Sequence, residues 1–240
     1  MLDKKLSIII PAYNEENTIY KLVNKVLASI KKYKLNAEVI IIDDNSTDKT
    51  HAIVKALAQR NPTIKLIRHN INKGKAEALK TGFDYSNGDI IIIQDADLEY
   101  DPFDYFPLLL PILNGKSKVV YGNRFNNKLN NKLKKNLFYW GNKVLTWLTN
   151  IITGYKLHDM ETCYKMFTKD VLDKLRPHLV AERFGIEPEI TVLLSRFKEN
   201  IVEVPIHYYP RTAKEGKKIK LKDFFDAVKT LFYTKIRKLS

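Results

Sequence analysis

The chain opens with short apolar runs that alternate with segments of helical periodicity. The apolar runs predict buried strands over residues 6–10, 37–42, 64–68 and 90–93. Between them, apolar residues at helical spacing predict helices over about 18–34, 47–61 and 76–85. Asn17 or Thr18 is a suitable N-cap for the first helix, and Ser46 or Thr47 for the second. This alternation is typical of a parallel sheet whose strands are joined by right-handed helical crossovers.

After residue 100 the pattern is less regular. Residues 101–113 have helical periodicity but contain Pro107 and Pro111, and a proline in a helix interior costs roughly 3 kcal/mol. We therefore expect two short helical pieces there. Strands are predicted over 118–121 and 201–204, and helices over about 168–175 and 188–197. The sequence has no repeat or linker, so the simplest organisation is one α/β domain over residues 1–218 and a C-terminal helix over 219–240.

Two segments, 129–152 and 221–239, carry a broad apolar stripe bordered by lysines. The first contains Trp140 and Trp147, and the second is rich in phenylalanine. Aromatic residues on one face and lysines on the other are typical of a helix that lies in a membrane interface. Packing against the domain is the alternative for each helix taken alone. Two such helices in one basic chain favour contact with a membrane.

The 240 residues carry a formal net charge of +14, which predicts attraction to nucleic acid, anionic lipid or phosphorylated substrates. A lysine-rich composition accounts for part of this excess. Cys163 is the single cysteine, which excludes an internal disulfide and a cysteine metal cluster. The chain starts without a secretory signal and has no apolar run of the roughly 18 residues that a membrane-spanning helix needs, so we expect a cytoplasmic protein.

The predicted strand at residues 90–93 consists of four isoleucines and leads into a group of carboxylates. Asp95 and Asp97 follow it closely, and Glu99 comes two residues later. Acidic side chains at the carboxyl end of a buried strand are typical of a binding site in an α/β sheet. Hard oxygen ligands suit Mg²⁺ or Mn²⁺, and such an ion usually completes its coordination with phosphate oxygens. The motif therefore predicts a metal-bound diphosphate substrate.

Polar motifs also follow the three other strands of the first half, at residues 11–15, 43–46 and 74–75. The carboxyl ends of parallel strands meet at one edge of a sheet, so these motifs are expected to converge with the carboxylates. A nucleoside, a diphosphate and a metal could be held there together. The first strand is not followed by the glycine pattern of dinucleotide-binding folds, and the sequence has no P-loop.

Eight segments, taken in order, resemble a known family of enzymes. The segments SIIIPAYNEE (7–16), IDDNSTD (42–48), NKGK (72–75) and DADLE (95–99) resemble the successive motifs of family-2 inverting glycosyltransferases with the GT-A fold. In the second half, YGNR (121–124), DMETCYK (159–165), FGIE (184–187) and VPIHYYPR (204–211) resemble the polyprenyl-phosphate, or dolichol-phosphate-type, hexose synthases. The resemblance covers about residues 6–219 and implies a GT-A fold with a mainly parallel sheet.

The resemblance also implies roles for the matching residues. On the donor side, the nucleotide-binding turn and its surroundings would be formed by Pro11, Ala12, Tyr13, Glu15, Asp43, Asp44, Lys75 and Asp95. Asp44 would contact the base or ribose, although helix capping is an alternative for Asp43 and Asp44. The metal, Mg²⁺ or Mn²⁺, would be bound by Asp95, Asp97 and Glu99. Catalytic positions would be Asp97, Arg124, Arg211, Lys217 and Glu187, with an orienting role for Glu187.

The chemistry of a phosphate acceptor agrees with this assignment. A phosphate monoester is largely dianionic at neutral pH and is already a nucleophile, so a general base is not essential. The enzyme needs cations for the acceptor phosphate, and arginine binds phosphate in a bidentate manner. The implied partners are a nucleotide-sugar (GDP-mannose or UDP-glucose), a polyprenyl phosphate, and a membrane surface or membrane partner protein. Nucleic acid is not expected as a partner.

Two departures from the family leave the sugar and nucleotide open. Residues 161–163 read Glu-Thr-Cys where dolichol-phosphate mannose synthases usually have Thr-Ser-Gly, and the loop 211–217 also differs. One alternative function is transfer to a hydroxyl acceptor, with Glu187 or Glu161 as the general base. Another is a non-catalytic basic protein that binds membranes or nucleic acid. A nucleotidyltransferase is less consistent with the sequence, because no glycine-rich loop follows the first strand.

Overall fold

The computed structural model of the chain describes residues 4–125, 137–211 and 221–239. Within these ranges one sheet of seven strands forms the centre of the molecule. Its strands are β1 (Leu6–Ala12), β2 (Ala37–Asp43), β3 (Ile64–Arg68), β4 (Ile90–Ile93), β5 (Val119–Asn123), β6 (Lys165–Thr168) and β7 (Ile201–Pro205). Their spatial order is β3-β2-β1-β4-β6-β5-β7. The first four strands are parallel, as predicted.

The helices of the described part follow the predicted alternation in the first half of the chain. They are α1 (Ile19–Tyr33), α2 (Thr50–Arg60), α3 (Lys75–Asp84), α4 (Tyr105–Leu113), α5 (Leu137–Thr153), α6 (Lys169–Leu175), α7 (Ile186–Arg196) and α8 (Leu221–Ile236). α8 packs against α7 and α5. The domain division at residue 218 stays a prediction.

The isoleucine strand is buried on both faces. All four residues of β4 are buried, as are Ile8, Ile9 and Ile10 of the neighbouring β1. α3 lies directly on β1 because Gly82 has no side chain, and a Cβ atom there would come within 2.2 Å of Ile9 Cγ2. This packing fixes the carboxyl ends of β1 and β4, which lead into the motifs at residues 11–15 and 95–99.

The predicted start of the second helix is wrong. α2 begins at Thr50 and not directly after Ser46 or Thr47. The Asp48 carboxylate accepts a hydrogen bond from the Thr50 amide at 2.9 Å, and the Ser46 amide donates to Asp43. These bonds hold residues 44–48 as a loop at the end of β2, because aspartates can satisfy nearby amides before a helix begins.

The first helix begins as predicted, but the side chain of its N-cap residue does not cap the helix. Thr18 occupies the N-cap position of α1 without a side-chain capping bond. Its hydroxyl donates instead to Glu15 Oε2 at 2.8 Å. Thr18 therefore helps to fix Glu15 at the end of β1.

The stretch 101–113 does contain two pieces, but neither proline separates them. A short 3₁₀ turn, Pro102–Asp104, leads into α4, which continues across both prolines. Pro107 is the third residue of α4, where a backbone amide has no helical partner to lose. Only Pro111 lies in the interior, and one lost hydrogen bond does not end a helix whose apolar side chains are buried.

β6 was not predicted, and it changes the second half of the fold. This four-residue strand runs antiparallel between β4 and β5, ahead of helix α6, which begins at Lys169. β7 pairs with β5 in parallel, so the sheet is mixed but mainly parallel. Because β6 runs in the opposite direction, the residues before it lie at the edge where β4 and β5 end. Residues 159–163 are therefore brought to the same edge as Asp95.

Candidate active site

Lys75 joins two of the predicted site carboxylates at the carboxyl edge of the sheet. As the first residue of α3, it places its Nζ 2.7 Å from Asp95 Oδ1 and 2.8 Å from Glu187 Oε1. Burial alone would lower the pKa of Lys75, but the charges of Asp95 and Glu187 hold it well above its usual value. Burial opposes ionisation of Asp95 as well, yet the neighbouring Lys75 keeps its pKa lowered. Lys75 and Asp95 are therefore both ionised near neutral pH.

Arg211 contacts the second group of predicted residues. Its Nη2 lies 2.5 Å from Asp97 Oδ2, and its Nη1 lies 3.3 Å from Glu15 Oε2. The backbone amide of Arg211 donates to Glu99 at 2.6 Å, and the Tyr208 hydroxyl donates to the other Glu99 oxygen. The motifs after β1, β4 and β7 thus meet, as the sequence predicted, around a cation that the protein itself supplies.

Asp97 lies in a negative field. Burial first, and then the charges of Asp95 and Glu99, raise its pKa to about 7, although Arg211 acts in the opposite direction. Within the described residues, no group of three or more His, Cys, Asp or Glu side chains is already arranged to hold a metal ion. The donor set nevertheless fits a hard divalent cation, since its oxygens are carboxylates and a guanidinium now lies against one of them. The assignment of Asp95, Asp97 and Glu99 as ligands stays a prediction.

Asp43 is fully buried and holds the loop after β2. Its carboxylate accepts from the Ser46 amide at 2.9 Å, lies 2.9 Å from His51 Nδ1, and pairs with Arg68 Nε at 3.2 Å. The partners from α2 and β3 were not identified in the sequence, because neither histidine nor arginine stands out in so basic a chain. The hydrogen bond to Ser46 lies within this loop and not at the start of α2, so it does not cap that helix.

Asp44 connects the same loop to the start of α3. It lies 2.7 Å from His69 Nδ1 and accepts from the amides of Lys73 and Gly74 at 2.9 and 2.7 Å. Gly74 has a φ of 88°, a backbone conformation that favours glycine. Asp44 therefore positions Lys75, and the predicted contact of Asp44 with a base or ribose stays a prediction.

The turn after β1 contacts the loop after β2. Pro11 and Ala12 end the strand, and Tyr13 is partly exposed beside them. The Asn14 amide donates to Ser46 Oγ at 3.1 Å, so the turns after β1 and β2 are held together. They form the side of the edge to which the sequence assigned the nucleoside.

Arg124 and Asp159 form a buried bidentate ion pair. Arg124 Nε and Nη2 lie 2.8 and 2.7 Å from the two carboxylate oxygens of Asp159, and the Arg124 amide donates to the same group. Burial would lower the pKa of Arg124, but the charge of Asp159 raises it well above its usual value. No role was assigned to Asp159 from the sequence. The predicted contact of Arg124 with an acceptor phosphate stays a prediction, and Lys217 lies outside the described residues.

α5 and α8 each leave apolar side chains exposed. On α5, Leu145 is buried, whereas Trp140, Val144, Trp147 and Ile151 recur at helical spacing with exposures of 48–63%. The exposed set on α8 includes Phe225, Phe232 and Ile236. The stripe predicted for 129–152 is thus divided between the core and the surface in its described part. None of the described helices is long and apolar enough to cross a membrane.

Comparisons with known proteins agree with this geometry. A family model described as glycosyl transferase family 2 matches residues 7–176. A UDP-N-acetylglucosamine–dolichyl-phosphate N-acetylglucosaminyltransferase from Methanococcus voltae is 32% identical over 221 residues, which are 86% of each chain. A prophage bactoprenol glucosyl transferase homolog from Escherichia coli K12 is 31% identical over 182 residues, covering 75% of this chain and 56% of that protein.

Solved structures agree on the fold. Glucosyl-3-phosphoglycerate synthase from Mycobacterium tuberculosis, in complex with Mn²⁺, UDP and phosphoglyceric acid, superimposes with a TM-score of 0.70 at 18% identity, covering 99% of this chain and 81% of that one. A second structure of that enzyme gives a TM-score of 0.71 at 20% identity, covering 97% and 81%. The GT-A fold is thereby confirmed.

Proposed function

The chain belongs to glycosyltransferase family 2, and from that membership we propose that it transfers a hexose from a nucleotide-sugar to a polyprenyl phosphate, with inversion at the anomeric carbon. One observation carries the proposal: Asp95, Asp97, Lys75 and Arg211 meet at the carboxyl edge of the sheet. This edge offers both anionic and cationic groups to a reaction between two phosphate-bearing substrates. The two curated relatives support the choice of acceptor, since the name of the first specifies dolichyl phosphate and that of the second bactoprenol.

The reaction is a displacement between two phosphate groups. An oxygen of the acceptor phosphate forms a bond to the anomeric carbon, while the bond from that carbon to the diphosphate breaks and the nucleoside diphosphate leaves. The acceptor is already dianionic at neutral pH, so no proton has to be removed from it. Lys75 and Arg211 are the described cations that would orient and neutralise the phosphates.

A divalent cation, Mg²⁺ or Mn²⁺, is part of this proposal. Asp95 and Asp97 would hold it, with Glu99 as the third carboxylate. When bound, it would supply positive charge to the leaving diphosphate. The ion would repel the guanidinium of Arg211, which lies 2.5 Å from Asp97 Oδ2, so the two cations would compete for this carboxylate.

Replacement of Arg211 is expected to separate metal binding from transfer. Arg211→Gln removes a cation that lies 2.5 Å from Asp97, so Mn²⁺ should bind the nucleotide-free protein about tenfold more tightly, while transfer falls. Isothermal titration with Mn²⁺ measures the first effect, and a transfer assay the second. Arg176→Gln is the matched control, since Arg176 pairs with Asp84 and Asp173 on the surface. Equal Mn²⁺ affinities in all three proteins would show that Arg211 does not compete with the ion.

We also propose that the enzyme binds peripherally to the membrane that holds its acceptor, through the exposed apolar faces of α5 and α8. The net charge of +14 favours anionic lipid. Trp140→Ser combined with Trp147→Ser should weaken partitioning onto anionic phospholipid vesicles about tenfold, because both indoles are more than half exposed and suit an interface.

Vesicle flotation tests this membrane contact. Tyr20→Ser is the matched control, because Tyr20 is 58% exposed on α1. The control should float like the parent protein, and raised salt should reduce flotation of both. If the double variant also floats like the parent, α5 is not the membrane contact.

The experiment that tests the function supplies each donor separately. Purified protein is incubated with Mg²⁺ or Mn²⁺, a short-chain polyprenyl phosphate, and UDP-glucose, UDP-N-acetylglucosamine or GDP-mannose. Lipid-linked sugar, detected by mass spectrometry, would support the proposal and identify the donor. Donor hydrolysis without a lipid product would overturn the phosphate acceptor and favour a hydroxyl acceptor. If the protein neither formed product nor bound any donor, the catalytic assignment would be overturned.

A further inference from the structure

The antiparallel direction of β6 brings one further carboxyl group to the active edge. Tyr121 of β5 lies opposite Lys165, and Ile92 of β4 lies opposite Met166. The residues before Lys165 therefore continue toward the ends of both neighbouring strands. Cys163 confirms this placement, since its Sγ lies 3.7 Å from the carbonyl oxygen of Ile93. Glu161 is two residues further along in the same direction.

A buried lysine holds the segment that carries Glu161. Lys165 is fully buried, and its Nζ donates to the carbonyl oxygens of Met160 and Thr162 at 2.7 and 2.6 Å. The same ammonium group lies 4.5 Å from the centre of the Tyr121 ring. The backbone on both sides of Glu161 is thus fixed by hydrogen bonds to one rigid cation. Such support is typical of a residue that must present its side chain in a defined place.

Glu161 differs from the other predicted acidic residues at this edge. Asp95 and Glu187 are paired with Lys75, and Asp97 with Arg211. Across the part of the chain that the structure describes, Glu161 Oε1 is buried without a hydrogen-bond partner. A buried polar atom left without a partner costs roughly 1–3 kcal/mol, so such an atom at an active edge is suited to a partner that arrives with the substrate.

Two further atoms in this corner lack partners. Thr162 Oγ1 and Asn123 Nδ2 are also buried without a hydrogen bond to the described residues. Asn123 is the last residue of β5, and Thr162 follows Glu161 directly. Three buried polar atoms, those of Glu161, Thr162 and Asn123, therefore lack hydrogen bonds to the described residues.

The charges around Glu161 select the kind of ligand. Glu187 and Asp159 raise its pKa, after the larger effect of burial, while Lys165 and Arg124 lower it, and the result is about 7. A phosphate would be repelled by the carboxyl groups of Glu161, Glu187 and Asp159. The available cations already contact other groups. A neutral ligand with hydroxyl groups, which both donate and accept hydrogen bonds, fits these surroundings.

We propose that Glu161 binds a hydroxyl group of the donor hexose and so determines which sugar the enzyme accepts. The inference rests on the proposed function, because it takes the donor to be a nucleotide-sugar. Glu187 is near enough to Glu161 for its charge to raise the pKa of Glu161, and Glu187 shares Lys75 with Asp95. The sugar attached to a diphosphate beside Asp95 would therefore lie within reach of Glu161.

The test compares ligands with and without the sugar. Binding of UDP, UDP-glucose, UDP-N-acetylglucosamine, GDP and GDP-mannose is measured by isothermal titration with Mn²⁺ present. For the donor that binds the parent protein best, Glu161→Ala should weaken binding about tenfold or more, while its nucleoside diphosphate binds unchanged. Discrimination between that donor and its deoxy-sugar analogues should also fall toward unity. Glu161→Gln keeps the shape of the side chain and one acceptor oxygen. Its affinity for the donor should lie between those of the parent protein and Glu161→Ala.

The controls separate recognition from structure. Glu16→Gln removes one carboxylate from the nucleotide side, where Glu16 accepts from the Lys49 amide, and should change binding of the sugar-bearing and sugar-free nucleotides equally. The inference is overturned if Glu161→Ala weakens both ligands equally, or neither. The outcome needs no lipid acceptor, so failure of transfer to polyprenyl phosphate would not be mistaken for failure of sugar recognition.

Discussion

Asp97→Asn is expected to abolish detectable formation of lipid-linked sugar, with a loss of at least about a hundredfold to a thousandfold. The substitution removes the negative charge that Arg211 now faces at 2.5 Å and that a divalent cation would need. It leaves the shape of the side chain and its oxygen that accepts from the Glu99 amide, so the turn after β4 should persist. Loss of activity should therefore come without loss of fold.

The measurement is the initial rate of product formation at saturating Mn²⁺ and donor, followed by mass spectrometry. Asp170→Asn is the matched control, since Asp170 forms an exposed pair with Lys118. That control should retain the parent rate and the parent melting temperature. If Asp97→Asn kept a third or more of the parent rate, Asp97 would not carry the charge that the reaction requires.

The strand ends of the first half could be predicted because two simple patterns coincide there. A run such as Ile90–Ile93 can only be buried, and the polar residues that follow must then lie at its carboxyl end. The same reasoning placed residues 11–15 and 43–46 correctly at one edge. Lys75 was found through its motif, and the structure adds that its Nζ joins Asp95 to Glu187.

Strand β6 and several buried ion pairs could not be predicted from the sequence, and the reasons are physical. β6 has four residues, and its first, Lys165, is a lysine that is fully buried. A buried lysine cannot be recognised from a pattern of apolar positions, because its burial depends on hydrogen bonds to the carbonyl groups of Met160 and Thr162, which have no periodic signal. His69 and Asp159 were missed for another reason, since the charge that each contacts lies far away in the sequence. Long-range pairing of charges is therefore what the sequence left open.

The ion pairs also reduce the net charge of the site. Lys75 and Arg211 each neutralise a carboxylate at the edge of the sheet. A cluster of ionised carboxylates without cations would repel and destabilise the edge of the sheet.

Asp159→Ala is expected to lower the free energy of unfolding by about 3–5 kcal/mol, the usual cost of removing one partner of a buried ion pair. Asp159 is fully buried, and the substitution would leave the guanidinium of Arg124 charged without its bidentate partner. The Arg124 amide would lose its acceptor as well. The expected destabilisation is large because Arg124 is itself buried, so the remaining charge would be poorly solvated where it lies.

Urea denaturation at neutral pH measures this effect, and a double variant shows whether it comes from the uncompensated charge. Arg124→Met combined with Asp159→Leu removes both charges, so it should recover most of the lost stability. Asp170→Ala, at the exposed pair with Lys118, should change stability by no more than about 0.5 kcal/mol. If the double variant were as unstable as Asp159→Ala, the packing of the side chains and not the buried charge would account for the loss. Recovery of stability without recovery of transfer would place Arg124 in the function of the site as well as in its structure.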